Sequence, residues 1–231
     1  MHQSINKKRI YLYLLIFFFL STIFNLNIIS IFNDLKKIKI IDIKGLKGKE
    51  ENLIRQELKI YKDNNIFLIN KKEVLNSLSI FKFIDKISVH KVLPSKLTIL
   101  AKKTKFLGIS ILDGNKFYIG ANSKLIPFSQ VQKKEDLPLV FGKFQIDEFL
   151  KLQEILIEKK INLNSINKYF YYQSKRWDIE FYNGTILMLP YRNIDSSIEI
   201  YENLIKDNRI NSNSIIDLRI PNKIILTHDE K

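Results

Sequence analysis

The stretch that decides the fold reads RWDIEFYNGTILMLP and covers residues 176–190. Trp177, Ile179 and Phe181 alternate with polar residues, which is the period-2 pattern of a half-buried β-strand. The Asn183-Gly184 pair follows as a turn, and the apolar run after it predicts a returning antiparallel strand. This hairpin predicts a domain built around an antiparallel sheet.

A second strand pattern, SIIDLRIPNKIIL at residues 214–226, lies close to the end of the sequence. Asp217 and Arg219 share one face of the predicted strand, and we leave two interpretations of them open: an exposed ion pair of little energetic value, or charges that protect a sheet edge. Pro221 and Lys223 would add to that edge protection. The positions predicted to anchor this strand in the core are Ile216, Leu218 and Ile220.

An apolar run near the start, residues 10–32, follows the basic trio Lys7-Lys8-Arg9. Its length suits a helix that spans a bilayer at about 1.5 Å per residue. No small-x-small cleavage signature follows, so an uncleaved transmembrane signal anchor is favoured over a cleaved signal peptide and over a buried core helix. The trio predicts a cytoplasmic tail at residues 1–9 and export of the rest. Three lysines beyond the run weaken that orientation signal: Lys36, Lys37 and Lys39.

Residues 33–104 show an order of patterns that predicts one α+β module, with helices on one face of a small sheet. Asn70 and Glu73 form a plausible capping pair for its second helix. A tight Leu-Pro-Ser connection predicts a hairpin between its last two strands. The predicted elements are a strand at 37–45, helices at 49–60 and 71–78, and strands at 83–94 and 96–104.

The remaining residues, 105–231, predict a strand-rich mixed α/β domain with an extended antiparallel sheet. Asp113-Gly114 marks a turn between two of its strands. Amphipathic patterns predict helices at 147–160 and 195–208, the second capped by Asp195 or Ser196. Taken together, the anchor, the first module and this domain predict the α+β fold class.

The composition excludes several classes of function. The chain has no cysteine, and its three histidines are scattered, so no thiolate or histidine metal site is predicted. The net charge of +14 comes from lysines spread along the whole chain, which is not the basic stripe of a nucleic-acid binder. No catalytic motif or phosphate-binding loop is present. We therefore predict a binding protein that is not an enzyme and has no cofactor and no small-molecule substrate.

The order of these elements resembles the FtsQ/DivIB family of bacterial cell-division proteins, and the first module resembles a POTRA domain. The resemblance covers nearly the whole chain. One departure is AKKTKFLG at 101–108, where the family usually has an acidic residue and a proline. The stretches that carry the resemblance are IDIKGLKGKEENLIRQEL at 41–58, NNIFLINKKEV at 64–74, FIDKISVHKVLPSKLTI at 83–99, LPLVFG at 137–142, RWDIEFYNGTILMLP at 176–190 and IIDLRIPNKI at 215–224.

The resemblance implies a bitopic inner-membrane scaffold at the division septum. It implies that the exported part binds the single-helix proteins FtsB and FtsL through a partner strand added to the C-terminal strand. That contact links early and late division proteins and the septal peptidoglycan synthase, the FtsW/FtsI pair. Carried onto this sequence, the expected partner-binding residues are Ile215, Asp217, Arg219, Lys223, Ile225, Lys175 and Arg176.

An alternative interpretation is a POTRA-bearing, membrane-anchored interaction module for protein export or envelope assembly. A transmembrane barrel or several tandem POTRA units would accompany that function. The 127 residues after the first module contain two predicted helices and too few alternating strands for a barrel.

Overall fold

The structure is a computed structural model that describes residues 7–23, 34–132, 136–207, 210, 212–221 and 223–228. Helix α1 covers Lys7–Ile23, so the predicted membrane span at 10–32 lies partly outside the described residues. Within the described part of the chain, no helix combines the length and the apolar character that crossing a membrane requires.

The chain divides into two compact units. The first unit comprises Met1–Lys47, Glu51–Ile80 and Ile87–Ala101, and the second comprises Gly48–Glu50, Phe81–Lys86 and Lys102–Lys231. Each unit has its own sheet, so each is described separately.

The first module has the predicted strand-helix-helix-strand-strand order. Its three strands are arranged β1-β3-β2, with β1 parallel to β3. The predicted capping pair is confirmed, because Asn70 Oδ1 accepts from the Lys72 N–H at 3.0 Å and its amide donates to Glu73 at 3.2 Å. The elements are β1 Ile40–Lys44, α2 Gly48–Glu57 with a 3₁₀ turn at Leu58–Tyr61, α3 Lys71–Leu78, β2 Ile84–Val92 and β3 Lys96–Lys103.

The second unit is built on one nine-stranded sheet in the order β12-β11-β10-β9-β8-β7-β4-β5-β6. The predicted Asp113-Gly114 turn joins β4 to β5, and both residues have positive φ, as a tight hairpin turn requires. The strands are β4 Phe106–Leu112, β5 Asn115–Gly120, β6 Leu125–Pro127, β7 Leu139–Phe141, β8 Ile166–Tyr171, β9 Trp177–Phe181, β10 Ile186–Met188, β11 Ser214–Asp217 and β12 Ile225–His228.

This sheet is mixed, so the prediction of an antiparallel sheet was wrong for three strand pairs. The pairs β4–β7, β7–β8 and β10–β11 are parallel. Parallel neighbours need a crossover connection, and the two helices of the unit supply two of them. Helix α4, Ile146–Glu158, connects β7 to β8, and helix α5, Ile194–Lys206, connects β10 to β11.

Both helices pack on one face of the sheet around the predicted hairpin. Phe149 of α4, Trp177 of β9 and Ile198 of α5 belong to one buried apolar cluster. The predicted cap of α5 was wrong: the N-cap is Asn193, with φ 59°, and no side chain caps the helix there. The Asn193 carbonyl accepts from the Ser197 N–H at 3.3 Å, so the helix begins one residue earlier than predicted.

Candidate partner-binding edge

Strand β11 is an interior strand of the nine-stranded sheet. It pairs with β10 on one side and with β12 on the other, so both of its backbone edges are used. The pattern at 214–226 therefore contains β11, a connection and the first two residues of β12. The strand at the end of the sheet is β12, which pairs only with β11 among the described strands.

The two edges of the sheet differ in their chemistry. Strand β12 presents Ile225 at 45% exposure and Leu226 at 38% exposure, one on each face. At the opposite edge, Ile126 of β6 is fully buried and Pro127 has no backbone N–H to donate. Natural edges are usually blunted by charge or proline, so β12 is the edge suited to receive another strand.

The predicted core anchors divide at the end of β11. Ile216 is fully buried and Leu218 is 4% exposed, as predicted. Ile220 is 46% exposed, so its prediction as an anchor was wrong. The predicted alternation holds through Leu218 and fails at Ile220, because β11 ends at Asp217 and the chain then turns toward β12. Ile220 and Ile224, at the same 46% exposure, add apolar surface beside the edge strand.

A cavity of about 190 Å³ lies between the β11–β12 connection and the start of α5. Its lining combines apolar and polar side chains and contains two basic residues. This cavity has room for an amino-acid side chain. The lining includes Arg192, Asn193, Ser196, Leu218, Ile220 and Lys223.

Asp217 and Arg219 bind each other. The Arg219 Nε donates to Asp217 Oδ1 at 2.8 Å, a second guanidinium nitrogen donates to Oδ2, and the Arg219 backbone N–H donates to Oδ1 at 3.0 Å. These hydrogen bonds lower the pKa of Asp217 below its ordinary value of 3.8. Because β11 is interior, the interpretation of these two residues as edge protection was wrong.

A second aspartate lies on the same face of the sheet as Asp217. Asp178 of β9 is opposite Met188 of β10, and Met188 is opposite Asp217. Burial raises the pKa of Asp178, although Arg176 and the Tyr172 hydroxyl lower it in part. The Arg176 Nε lies 3.7 Å from Asp178 Oδ1, and neither atom has a hydrogen-bond partner among the described residues.

The two aspartates are expected to respond to pH with opposite signs. Asp178→Asn should raise the free energy of unfolding at pH 7, because the ionised Asp178 opposes folding when its folded pKa is raised. Asp217→Asn should lower it at pH 7, because the ionised Asp217 favours folding when its folded pKa is lowered. Urea unfolding of both variants and the parent protein measures these differences.

Both differences should disappear as the pH falls. The gain in free energy of unfolding from Asp178→Asn should decrease as the pH falls through the raised folded pKa of Asp178. It should vanish below about pH 3.8, where Asp178 is protonated in both the folded and the unfolded state. The deficit of Asp217→Asn should persist to a lower pH, because it is lost only as the pH falls through the lowered folded pKa. Differences of the same sign at pH 7 would contradict the assignment.

The structure separates the predicted partner-binding residues into groups. Ile225 lies on the edge strand, and Lys223 lies in the connection before it. Ile215 is half-buried on interior β11, opposite Thr227. Lys175 and Arg176 precede β9, which lies three strand spacings from β12, or roughly 14 Å.

The predicted partner-binding residues did not name Leu226, although it lies within the stretch 215–226 expected to bind, and they did not extend to Thr227. Leu226 is opposite Ile216 and Thr227 is opposite Ile215, so the two residues project to opposite faces of the edge. The sequence did contain one signal for these contacts, the apolar pair Ile225-Leu226 after Pro221. Edge strands usually carry a charged residue, so an apolar pair at an edge indicates a surface that a partner covers.

Two family models match this chain in sequence order. The POTRA domain of FtsQ type matches residues 36–100, and the FtsQ/DivIB C-terminal domain of cell-division proteins matches residues 111–219. The chain belongs to the FtsQ/DivIB family. Strand β12 follows the second matched segment.

Curated relatives of this FtsQ/DivIB chain are also cell-division proteins. DivIB of Clostridium botulinum (strain Loch Maree / Type A3) is 32% identical over 123 residues, which are 52% of this chain and 46% of that protein. FtsQ of Rickettsia bellii is 24% identical over 81% of this chain and 70% of that protein. The chain thus spans about half the length of the first of these relatives.

A solved structure also matches this FtsQ/DivIB chain. It is the major extracytoplasmic domain, in its trans isomer, of the cell-division protein DivIB from Geobacillus stearothermophilus. The identity is 14% and the TM-score 0.33, over 48% of this chain and 99% of that one.

Family membership places this chain among the cell-division proteins of the FtsQ/DivIB family. The first module is an FtsQ-type POTRA domain.

Proposed function

We propose that this FtsQ/DivIB protein is a bitopic scaffold of the bacterial divisome that binds FtsB/FtsL-type partners by strand addition to β12. Residues 10–32 anchor it in the inner membrane, with the N-terminus cytoplasmic and the bulk periplasmic at the septum. The observation that carries the proposal is the edge position of β12, with its exposed Ile225 and Leu226.

Strand addition takes its affinity from main-chain hydrogen bonds and its specificity from alternate side chains. The backbone of β12 offers the hydrogen bonds along the side that faces away from β11. A partner strand placed there would cover Ile225 on one face and Leu226 on the other. The neighbouring cavity would accept one apolar side chain of the partner beside Ile220 and Leu218.

Charge favours a partner with an acidic residue next to its added strand. Arg192 and Lys223 line the cavity beside β12, and complementary charges guide the approach and register of a partner. Arg219 is bound to Asp217, and Arg176 lies beside Asp178. The neighbouring carboxylates partly neutralise these two arginines, so they attract an acidic partner less strongly. We therefore assign the direct contacts to Ile225 and Lys223. Ile215 and Asp217 lie one strand inward, Arg219 lies just after that strand, and Lys175 and Arg176 are more distant.

The anchor and the edge strand together suit a scaffold. A membrane-held chain that captures FtsB/FtsL-type segments brings them to the septum, where they link early division proteins to the FtsW/FtsI synthase. This role needs no catalytic group.

Hydrogen exchange on the full chain in detergent tests the strand-addition proposal. Addition of an exported FtsB/FtsL-type segment is expected to slow amide exchange in β12, because the free edge amides gain carbonyl partners. Strand β6, the opposite edge of the same sheet, is the internal control and should not change. Protection of β6 with none in β12 would overturn the proposed edge.

A further inference from the structure

One end of the first unit gathers three segments that are distant in sequence. Two backbone hydrogen bonds join residues 36–38 to residues 64–66: the Ile66 N–H donates to the Lys36 carbonyl at 2.8 Å, and the Ile38 N–H donates to the Asn64 carbonyl at 2.9 Å. The loop at 62–68 is therefore held directly beside the segment at 36–38.

The turn between β2 and β3 lies at the same end. The Ser95 carbonyl accepts from the Lys39 N–H at 2.9 Å and from the Ile40 N–H at 3.3 Å. Lys91 Nζ, near the end of β2, donates to the Phe67 carbonyl at 3.1 Å, which joins the turn to the loop. We call the residues 34–39, 62–68 and 91–95 the basal end of the unit.

The basal end exposes a cluster of large apolar side chains. Leu68 is 82% exposed, which is the highest exposure among the large apolar side chains described. Phe67, next to it in sequence, is 54% exposed, and Leu93 in the turn between β2 and β3 is 58% exposed. Such a cluster marks an interaction surface. The full set is Leu35, Phe67, Leu68, Val92 and Leu93.

The charge of the basal end is positive. Its three segments contain five lysines and two aspartates. One aspartate, Asp34, is bound to Lys37 Nζ at 2.7 Å, and the other, Asp63, is the second carboxylate near that lysine. The remaining lysines of these segments are Lys36, Lys39, Lys62 and Lys91, and Lys91 donates to the Phe67 carbonyl within the same end. Apolar side chains among lysines are the composition of a surface that binds an anionic bilayer.

The chain itself holds the basal end near the proposed membrane anchor. The predicted span ends at residue 32, and three residues lie between it and Lys36, which pairs with the loop. The four residue-to-residue steps from 32 to 36 reach at most about 14 Å. A span that leaves the bilayer at residue 32 therefore places Phe67 and Leu68 within reach of the headgroups.

We propose that the basal end docks on the outer surface of the inner membrane, with Leu68, Phe67 and Leu93 inserted at the boundary between headgroups and acyl chains. The lysines of the basal end bind anionic lipid headgroups. This docking rests on the anchoring part of the proposed function. It adds a second membrane contact, which fixes the tilt of the first unit relative to the bilayer.

Site-specific labelling tests the docking, and the absence of native cysteine makes it simple. Leu68→Cys and Leu93→Cys are labelled with an environment-sensitive fluorophore, and the full chain is reconstituted in vesicles that contain anionic lipid. Nitroxide on the lipid headgroups should quench these labels roughly threefold more than a label in bulk water, since interfacial residues insert about 5–10 Å. Vesicles of neutral lipid alone should give less quenching.

Ile80→Cys is the matched control. Ile80 is 51% exposed and lies just before the start of β2, at the end of the strand opposite the β2–β3 turn. Equal quenching at residues 68, 93 and 80 would overturn the docking while leaving partner binding at β12 intact. A chain that does not float with the vesicles would overturn both the anchor and the docking. Unchanged protection of β12 by the partner segment separates the two failures.

Discussion

Replacing Ile225 with lysine is expected to weaken the binding of an FtsB/FtsL-type segment by roughly 30- to 150-fold, or about 2–3 kcal/mol. The side chain lies on the edge strand and is 45% exposed in the free protein, so an added strand would cover it. The lysine loses the apolar contact and must be desolvated beside the partner backbone. Titration of the full chain with the labelled segment measures the dissociation constant.

Ile157→Lys is the matched control for this change. Ile157 is 57% exposed on α4, so it places the same charge on a comparably exposed apolar position away from the edge. Its effect on partner affinity should be within about twofold, as for surface positions outside an interface. Both variants should keep the parent stability within about 0.5 kcal/mol, since neither residue is buried. An equal loss of affinity in the two variants would show that β12 is not the binding edge.

Local patterns predicted elements of both units correctly. The order of elements along the first module, the Asn70 cap of α3 and the hairpin through Asn183-Gly184 all follow from residues close in sequence. Period-2 alternation also identified Ile216 and Leu218 as buried. These features depend on the backbone and its immediate neighbours, and a single sequence contains that information.

Strand neighbours were not predictable in the same way. The alternation in β11 is the same whether the strand is at an edge or between two others, because side-chain direction does not depend on backbone pairing. The crossovers through α4 and α5 make β7–β8 and β10–β11 parallel, and β12 then folds back onto β11. Which strand lies at the edge therefore depends on the order of all the strands in the sheet.

The pairing of the charged residues near the edge was likewise not predictable from the sequence. Asp217 and Arg219 are two residues apart, a spacing that suits either a local ion pair or separate contacts with a partner. The hydrogen bonds between them depend on the turn that begins after β11. The shifted pKa of Asp178 is likewise invisible in the sequence, since it arises from burial beside strands distant along the chain.

Trp177→Ala is expected to lower the free energy of unfolding of the second unit by about 3–5 kcal/mol. Trp177 is 2% exposed, and its ring centre lies 4.8 Å from that of Tyr171 and 5.5 Å from that of Phe144. It also contacts the ring of Phe149 on α4, so it joins the sheet to its helices. Alanine would leave a cavity that these rings cannot fill, and urea unfolding followed by circular dichroism measures the loss.

The matched control, Tyr182→Ala, removes an aromatic side chain from the same hairpin at 64% exposure. Its cost should stay within about 0.5 kcal/mol, because little apolar surface is lost from the core. A comparable loss in both variants would mean that the hairpin is stabilised by its turn and not by the Trp177 contacts. Trp177→Ala is also expected to weaken partner binding, because β12 pairs with β11 in the described sheet and this core stabilises the sheet that positions β11.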